Sequence, residues 1–349
     1  KAGLPYEKAG DTGWIAILDT GKPGSRIALR ADIDALLVPE EPNNLAGPRV
    51  VVSDDPHTSH ACGHDAHTAM LLGAMRVLAE QRDNLAGVIY FCFEEGEEDG
   101  RGILAMLNQL SAHGVDVCWG IHVYAGLESG KICVSAGPRM AGAAGVGIKV
   151  IGRGGHGSQP QNTTDPVLAA AQMIVMMQQI VARRVDPMEM AVFSLGSIHG
   201  GDAPNVIPAE VKFGGVTRAY SESVRSVIKE QVQAIAKGIE AASGNTVHIH
   251  YADGYPSAFN DKELMDLAAD AVRKELGEDA VVPMPDPMPF SEDFSFYGKL
   301  GGIPSAYLML YAGHEGELAP LHNPKCAVRE DVMPAGIRTL VSIALEFLK

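Results

Sequence analysis

The chain has 349 residues, 46% of them hydrophobic and 20% charged, with a formal net charge of −15. That length is enough for two domains with sizeable cores. The acidic balance argues against nucleic acid or an anionic membrane as a partner, since both need a basic footprint. Five cysteines at irregular spacing do not make a disulfide framework and fit a reducing, cytoplasmic setting. No apolar run looks long enough to span a bilayer, and the first residues lack a signal-peptide pattern. They read as the interior of a domain, so a preceding segment is expected.

In chain order, residues 14–18 and 26–30 read as short strands around a turn-rich stretch, which predicts a hairpin. The second run leads into Arg30-Ala31-Asp32-Ile33-Asp34, where carboxylates two apart share one face of a strand. A polar loop follows, then His60-Ala61-Cys62-Gly63-His64-Asp65-Ala66-His67 and a helical pattern carried by Met70, Leu71, Ala74, Met75 and Leu78. Residues 88–93 are continuously apolar, as in a strand buried on both faces. They run into Glu94-Glu95-Gly96-Glu97-Glu98-Asp99-Gly100. Residues 102–113 read as a helix, and 117–121 as a strand that ends in His122.

From about residue 137 the pattern changes. Strands at 145–151, 191–198, 210–217 and 246–251 alternate with helices at 166–185 and 221–241, in the order βαββαβ. This predicts a self-contained ferredoxin-like unit over 137–253, inserted into a larger α/β domain made of 1–136 and 254–349. After it come a helix at 261–276, a loop bearing Pro283, Pro285, Pro287 and Pro289, then Ser291-Glu292-Asp293-Phe294. A strand at 305–311, Leu321-His322-Asn323-Pro324 and an amphipathic closing helix complete the chain. The fold class expected is α/β, a catalytic domain with a mixed sheet plus the inserted unit.

Thiolate and imidazole donors suit a zinc-like divalent ion, and the carboxylates at strand ends lie where open α/β sheets place their sites. Cys62 could equally be the nucleophile of a cysteine hydrolase, with His64 or His60 as base. Gly152-Arg153-Gly154-Gly155-His156-Gly157 matches G-x-G-x-x-G. It is followed by Ser158-Gln159-Pro160 rather than by a helix, so it is not read as a dinucleotide site.

The set His60-Ala61-Cys62-Gly63-His64-Asp65, Phe93 to Glu98, Gly120-Ile121-His122, Gly154-Gly155-His156, Asn205-Val206-Ile207-Pro208 and Leu321-His322-Asn323-Pro324 resembles one family. It is the aminoacylase-like metallo-amidohydrolases, which hydrolyse N-acyl-amino acids, hippurate and auxin conjugates, within a larger group of dinuclear metallopeptidases. The resemblance covers nearly the whole chain in order. It implies two divalent ions per subunit (Mn, Zn, Ni or Co), held by Cys62, His64, Glu98, His122 and His322.

By the same resemblance Glu97 is the base of an adjacent glutamate pair; Glu94 and Glu95 form a competing pair under a shifted register. His156 is implied to stabilise the oxyanion, from a lid and dimerisation unit that reaches a partner subunit's metal site. Asn205 and Arg218 are implied substrate contacts, and Asp34 or Asp65 would orient the ligands. Leu37 stands where the family often has proline. The implied reaction is hydrolysis of a small N-acyl-amino acid by a homodimer or higher homo-oligomer. A dipeptidase or aminobenzoyl-glutamate hydrolase of the same group, and a non-catalytic metal-binding scaffold, remain as alternatives.

Overall fold

The structure is a computed structural model that describes residues 3–125, 129–283, 287–314 and 320–349. Pro285, one of the prolines in the loop after the fifth helix, lies outside them. In chain order the main strands are β1 (Tyr6–Lys8), β2 (Trp14–Asp19), β3 (Arg26–Asp32), β4 (Val88–Glu94), β5 (Val117–Tyr124) and β6 (Ile132–Cys133). They continue as β7 (Gly142–Ile151), β8 (Ala191–His199), β9 (Glu210–Ala219), β10 (Thr246–Asp253), β11 (Val281–Val282) and β12 (Ser305–Tyr311). The helices are α1 (His64–Glu80), α2 (Ile103–His113), α3 (Pro166–Arg184), α4 (Glu222–Ser243), α5 (Lys262–Leu276), α6 (Ser295–Lys299) and α7 (Met333–Phe347).

Two compact units result. The first comprises Lys1–Gly137, Phe259–Asp286 and Glu292–Lys349, and the second Pro138–Ala258 with Pro287–Ser291. The first unit is built on an eight-stranded mixed sheet in the order β1-β2-β4-β3-β5-β12-β6-β11. Its centre, β4-β3-β5-β12, is parallel, and each of those strands is buried along most of its length. That explains why residues 88–93 are apolar without alternation.

The hairpin expected of residues 14–18 and 26–30 does not form. β4 lies between β2 and β3, antiparallel to the first and parallel to the second. The turn-rich link between β2 and β3 is long enough to step over one strand. The slot it leaves buries Ile89, Phe91 and Cys92 completely.

The core of this unit gathers Ile27, Leu29, Phe91, Trp119, Leu308 and Leu310 from the sheet with Met70, Leu71, Ala74 and Leu78 from α1. Trp119 packs edge-on against Phe347 of α7, with ring centroids 5.1 Å apart. Each such side chain contributes roughly 1.5–3 kcal/mol by leaving water. The parallel strands all deliver their C-terminal ends to one edge of the sheet. Asp32, Glu94 and His122 sit at or near those ends.

The second unit has a four-stranded sheet, β8-β9-β7-β10, antiparallel throughout, with a bulge in β8 between Leu195 and Ser197. Its core joins Val146, Ile148, Val150, Val211 and Phe213 to Met173 and Met177 of α3 and Ile228 and Val232 of α4. Both helices start on a side-chain cap. Asp165 accepts from Val167 N at 2.8 Å, and Ser221 accepts from Val224 N at 3.3 Å. By length and mean hydropathy α3 alone among the described residues could span a bilayer. Its buried stripe (Ala169, Ala170, Met173, Met177, Ile180) is instead packed into this core.

Candidate metal centre

Cys62 and His64 are presented by the turn that opens α1. Gly63 between them has φ +84°, and a Cβ there would meet Val123 Cγ2 at 2.4 Å. Only glycine gives this left-handed turn against β5 without strain. The Cys62 Sγ then lies 3.6 Å from His122 Nε2. His122 Nδ1 is 2.6 Å from the Val123 carbonyl oxygen, so Nδ1 carries the proton and Nε2 presents its lone pair towards the sulfur. His64 is oriented in the same way. Its Nδ1 faces the Asp34 carbonyl oxygen at 3.1 Å and Asp34 Oδ1 at 3.2 Å, while its buried Nε2 has no hydrogen-bond partner.

Glu97 and Glu98 lie in a 3-10 turn (Glu97–Asp99) entered through Gly96, whose φ is +67°. On an extended segment neighbouring side chains point apart; this turn lets both carboxylates serve one centre. Asp34 Oδ2 accepts the Glu98 N–H at 3.1 Å and so pins the turn to the His64 side. Glu98 Oε1 comes 3.2 Å from His322 Nε2 and 3.9 Å from His64 Nε2, with hydrogen-bond geometry to neither.

His322 has φ +64°, the one positive value outside glycine among the described residues. For a histidine that is a strained backbone worth noting at a site. Its N–H donates to Ala61 O at 2.8 Å. The loop before Ser59 secures the same segment, with Arg49 donating to Pro324 O at 3.3 Å and to Cys326 O at 2.6 Å.

Donor atoms of Cys62, His64 and His122 all lie within 4.8 Å of one another, and so do those of Cys62, Glu98 and His322. The two groups share the sulfur. Soft sulfur, imidazole and carboxylate, together with an orphaned and buried His64 Nε2, fit first-row divalent ions. His67 is also in this cluster but cannot ligate. Its Nδ1 is 2.5 Å from Asp32 Oδ1, and its Nε2 accepts the Val123 N–H at 2.8 Å.

The protonation pattern of the ion-free centre agrees. Burial, with Glu98 and Asp32 adding to it, drives the Cys62 thiol far above its ordinary range. A buried, neutral thiol is a poor nucleophile, which counts against the cysteine-hydrolase alternative. His60, the other base considered for that reading, is exposed. Burial opposes a charge on His64, but Asp32 and Asp34 outweigh it and raise its pKa to about 9. Burial pushes His122 well below the usual value and keeps it neutral. Burial, reinforced by the negative Glu292, lifts Glu97 well above the carboxylate range.

The competing pair has other partners. Glu94 is bound by Arg30 and by the Tyr297 hydroxyl, and Glu95 accepts from the backbone of Asp11 and Thr12. Asp65 is exposed and accepts the Ala66 N–H, away from the ligands. The carboxylate behind His67 is instead Asp32, whose i, i+2 spacing to Asp34 was the available signal. In the second unit Gly155–His156 pairs with Val206–Ile207, and Gly157 N donates to Asn205 O at 2.9 Å, so His156 and Asn205 are neighbours. Arg218 lies on β9, opposite Ala143 and Val192.

The profile of peptidase family M20/M25/M40 matches residues 28–346. The chain is 34% identical over 346 residues to an IAA-amino acid hydrolase, ILR1-like 2, of Arabidopsis thaliana, covering 97% of this chain and 76% of that protein. It is 39% identical over 258 residues to an N-acyl-L-amino acid amidohydrolase of Geobacillus stearothermophilus, covering 74% and 68%. Among solved structures it is similar to the YXEP protein of Bacillus subtilis, described as a dinuclear metal binding peptidase, with a TM-score of 0.84 and 28% identity over 99% of this chain and 88% of that one. The chain therefore belongs to peptidase family M20/M25/M40, and it is a metal-dependent hydrolase of amide bonds.

Proposed function

We propose that the substrate is an N-acyl-amino acid or a similar small amide, split into a carboxylic acid and an amino acid. The observation that carries this reading is the convergence of Cys62, His64, Glu98, His122 and His322 beside a buried glutamate, Glu97, whose carboxylate lies within 4.8 Å of donor atoms of His64 and Glu98. The relatives that act on acylated amino acids point to the same substrate class.

Two divalent ions held by those five residues would supply Lewis-acid polarisation of the carbonyl and a more acidic water. We assign Glu97 as the base that takes the proton of the attacking water and returns it to the leaving nitrogen. Such work is typically worth about 10²- to 10⁴-fold. The raised proton affinity of its buried carboxyl suits a group that must both accept and donate. His156 is assigned to the developing oxyanion. Its Nδ1 accepts the Ser158 N–H at 3.1 Å, which leaves Nε2–H free to donate. Asn205 and Arg218 are assigned to the substrate's carbonyl or carboxylate, and Asp34, with Asp32 and His67, to holding the ligands in place.

The division into a catalytic domain (1–136 and 254–349) and an inserted ferredoxin-like lid and dimerisation domain (137–253) is our reading. The antiparallel order β8-β9-β7-β10 with α3 and α4 supports it. A homodimer and a cytoplasmic setting belong to the same reading, the latter supported by five buried cysteines, none of them joined in a disulfide. The test is Glu97→Gln. Turnover of a panel of acylated amino acids should fall by at least about 10²-fold with metal content unchanged. Retained turnover would remove Glu97 from the reaction.

A further inference from the structure

Within Ser291-Glu292-Asp293-Phe294, Glu292 and Asp293 are almost wholly buried. Carboxylate oxygens of Glu97, Glu292 and Asp293 all lie within 4.8 Å of one another. The Asp293 N–H donates to Glu97 Oε1 at 3.3 Å. Behind these groups lies Arg30, also buried. Its guanidinium meets Asp293 Oδ1 at 2.5 Å, Glu94 Oε1 at 2.7 Å, Asp32 Oδ2 at 2.8 Å and Glu292 Oε1 at 3.1 Å.

Both Glu292 oxygens are held. The Phe294 N–H reaches Oε1 at 3.2 Å, alongside Arg30, and the Tyr307 hydroxyl reaches Oε2 at 3.2 Å. A buried ion cluster of this kind is a poor source of stability, because desolvation offsets its Coulomb gain. What it does supply is position. One guanidinium is tied on one side to Asp32, and through His67 to the backbone beside His122. On the other side it is tied to the pair that abuts Glu97.

We propose that Glu292 is a positioning residue: clamped by Arg30 and Tyr307, its carboxylate confines that of Glu97 to the geometry its proton transfers require. This rests on the reading of Glu97 as the base. Glu292 engages Arg30 donors that would otherwise capture the Glu97 carboxylate, and together with Asp293 it bounds the space which that carboxylate occupies. A base displaced by about 1 Å can cost roughly 10²-fold in rate.

The experiment uses the full chain, metal-reconstituted, as wild type and as Glu292→Gln, assayed on an N-acyl-amino acid and crystallised. The variant should lose at least about 10-fold in kcat with KM within about 3-fold. Its metal content should match wild type, and its crystal structure should show the Glu97 carboxyl displaced. An unchanged kcat, or a loss that merely follows metal loss, would overturn the proposal. Should Glu292→Gln not fold, Tyr307→Phe removes one clamp from Glu292. It should lower kcat in the same direction with metal content intact, and no change in kcat or in the Glu97 position would count against the idea. A wild type inert on acylated amino acids would sink the functional reading alone. The Glu97 position in the variant crystal would still decide the positioning role.

Discussion

The Asp34 carboxylate accepts the backbone N–H of Glu98 at 3.1 Å, so a residue just past the end of β3 fixes the turn beyond the end of β4. The other Asp34 oxygen faces His64 Nδ1 at 3.2 Å. One side chain therefore aims two members of the ligand set. Asp34→Ala should weaken metal binding by about 10- to 100-fold, the usual cost of losing such an orienting partner. Competition with a chromophoric chelator measures this directly, and an affinity equal to wild type would remove Asp34 from the assembly.

Metal loading should release protons. Without an ion, burial holds the Cys62 thiol protonated, and Asp32 and Asp34 raise His64 to about 9 despite burial. Both groups carry a proton at pH 7, and both must lose it to ligate. The sign follows: apparent affinity rises with pH below about 9, where close to two protons leave per chain. Calorimetry in buffers of different ionisation enthalpy reads the number. A heat independent of buffer would mean that these groups are not the ligands.

Cys62 is common to both donor groups, so its loss should affect both ions rather than one. Cys62→Ser keeps the size but replaces soft sulfur with a hydroxyl that is a weak ligand at neutral pH. Metal content per chain should fall for both sites, and the rise in Tm on adding metal should shrink with it. Retention of one full equivalent would show that the sulfur serves a single ion.

Gly63→Ala tests the turn itself. The new Cβ would meet Val123 Cγ2 at 2.4 Å on a backbone at φ +84°. A loss of about 1–3 kcal/mol in stability is expected from the strained conformation alone. Because Cys62 and His64 flank the turn, metal affinity should fall as well. Denaturant unfolding with and without metal separates the two effects, and a fully stable, metal-competent variant would contradict the account.

Much of this was legible in the sequence. The Cys62–His64 block announced donors at a helix start, and the apolar run of β4 ending in acidic residues located a strand end. The βαββαβ order of the second unit was readable from its succession of strand and helix runs, most plainly from the helical spacing of Val224, Ile228, Val232, Ile235 and Ile239 in α4. The pairing of β2 with β4 was not legible, because strand neighbours depend on which buried surfaces meet rather than on the turn between them. Nor was the pedestal of Arg30, Glu94, Glu292 and Asp293. Charged residues far apart in sequence usually read as solvated; here β3, the end of β4 and the loop before α6 bring them together out of water. Asp65, the other orienting candidate, turns away from the ligands for a local reason. It is exposed, and its carboxylate accepts the Ala66 N–H, which the Gly63 carbonyl also accepts.

The central claim is that five donors drawn from separate stretches of the chain hold two divalent ions beside Glu97. Anomalous diffraction from crystals of manganese- or zinc-loaded protein tests it most directly. The account predicts two peaks, one among Cys62, His64 and His122 and the other among Cys62, Glu98 and His322. No peak there, or ions bound only elsewhere on the molecule, would contradict it.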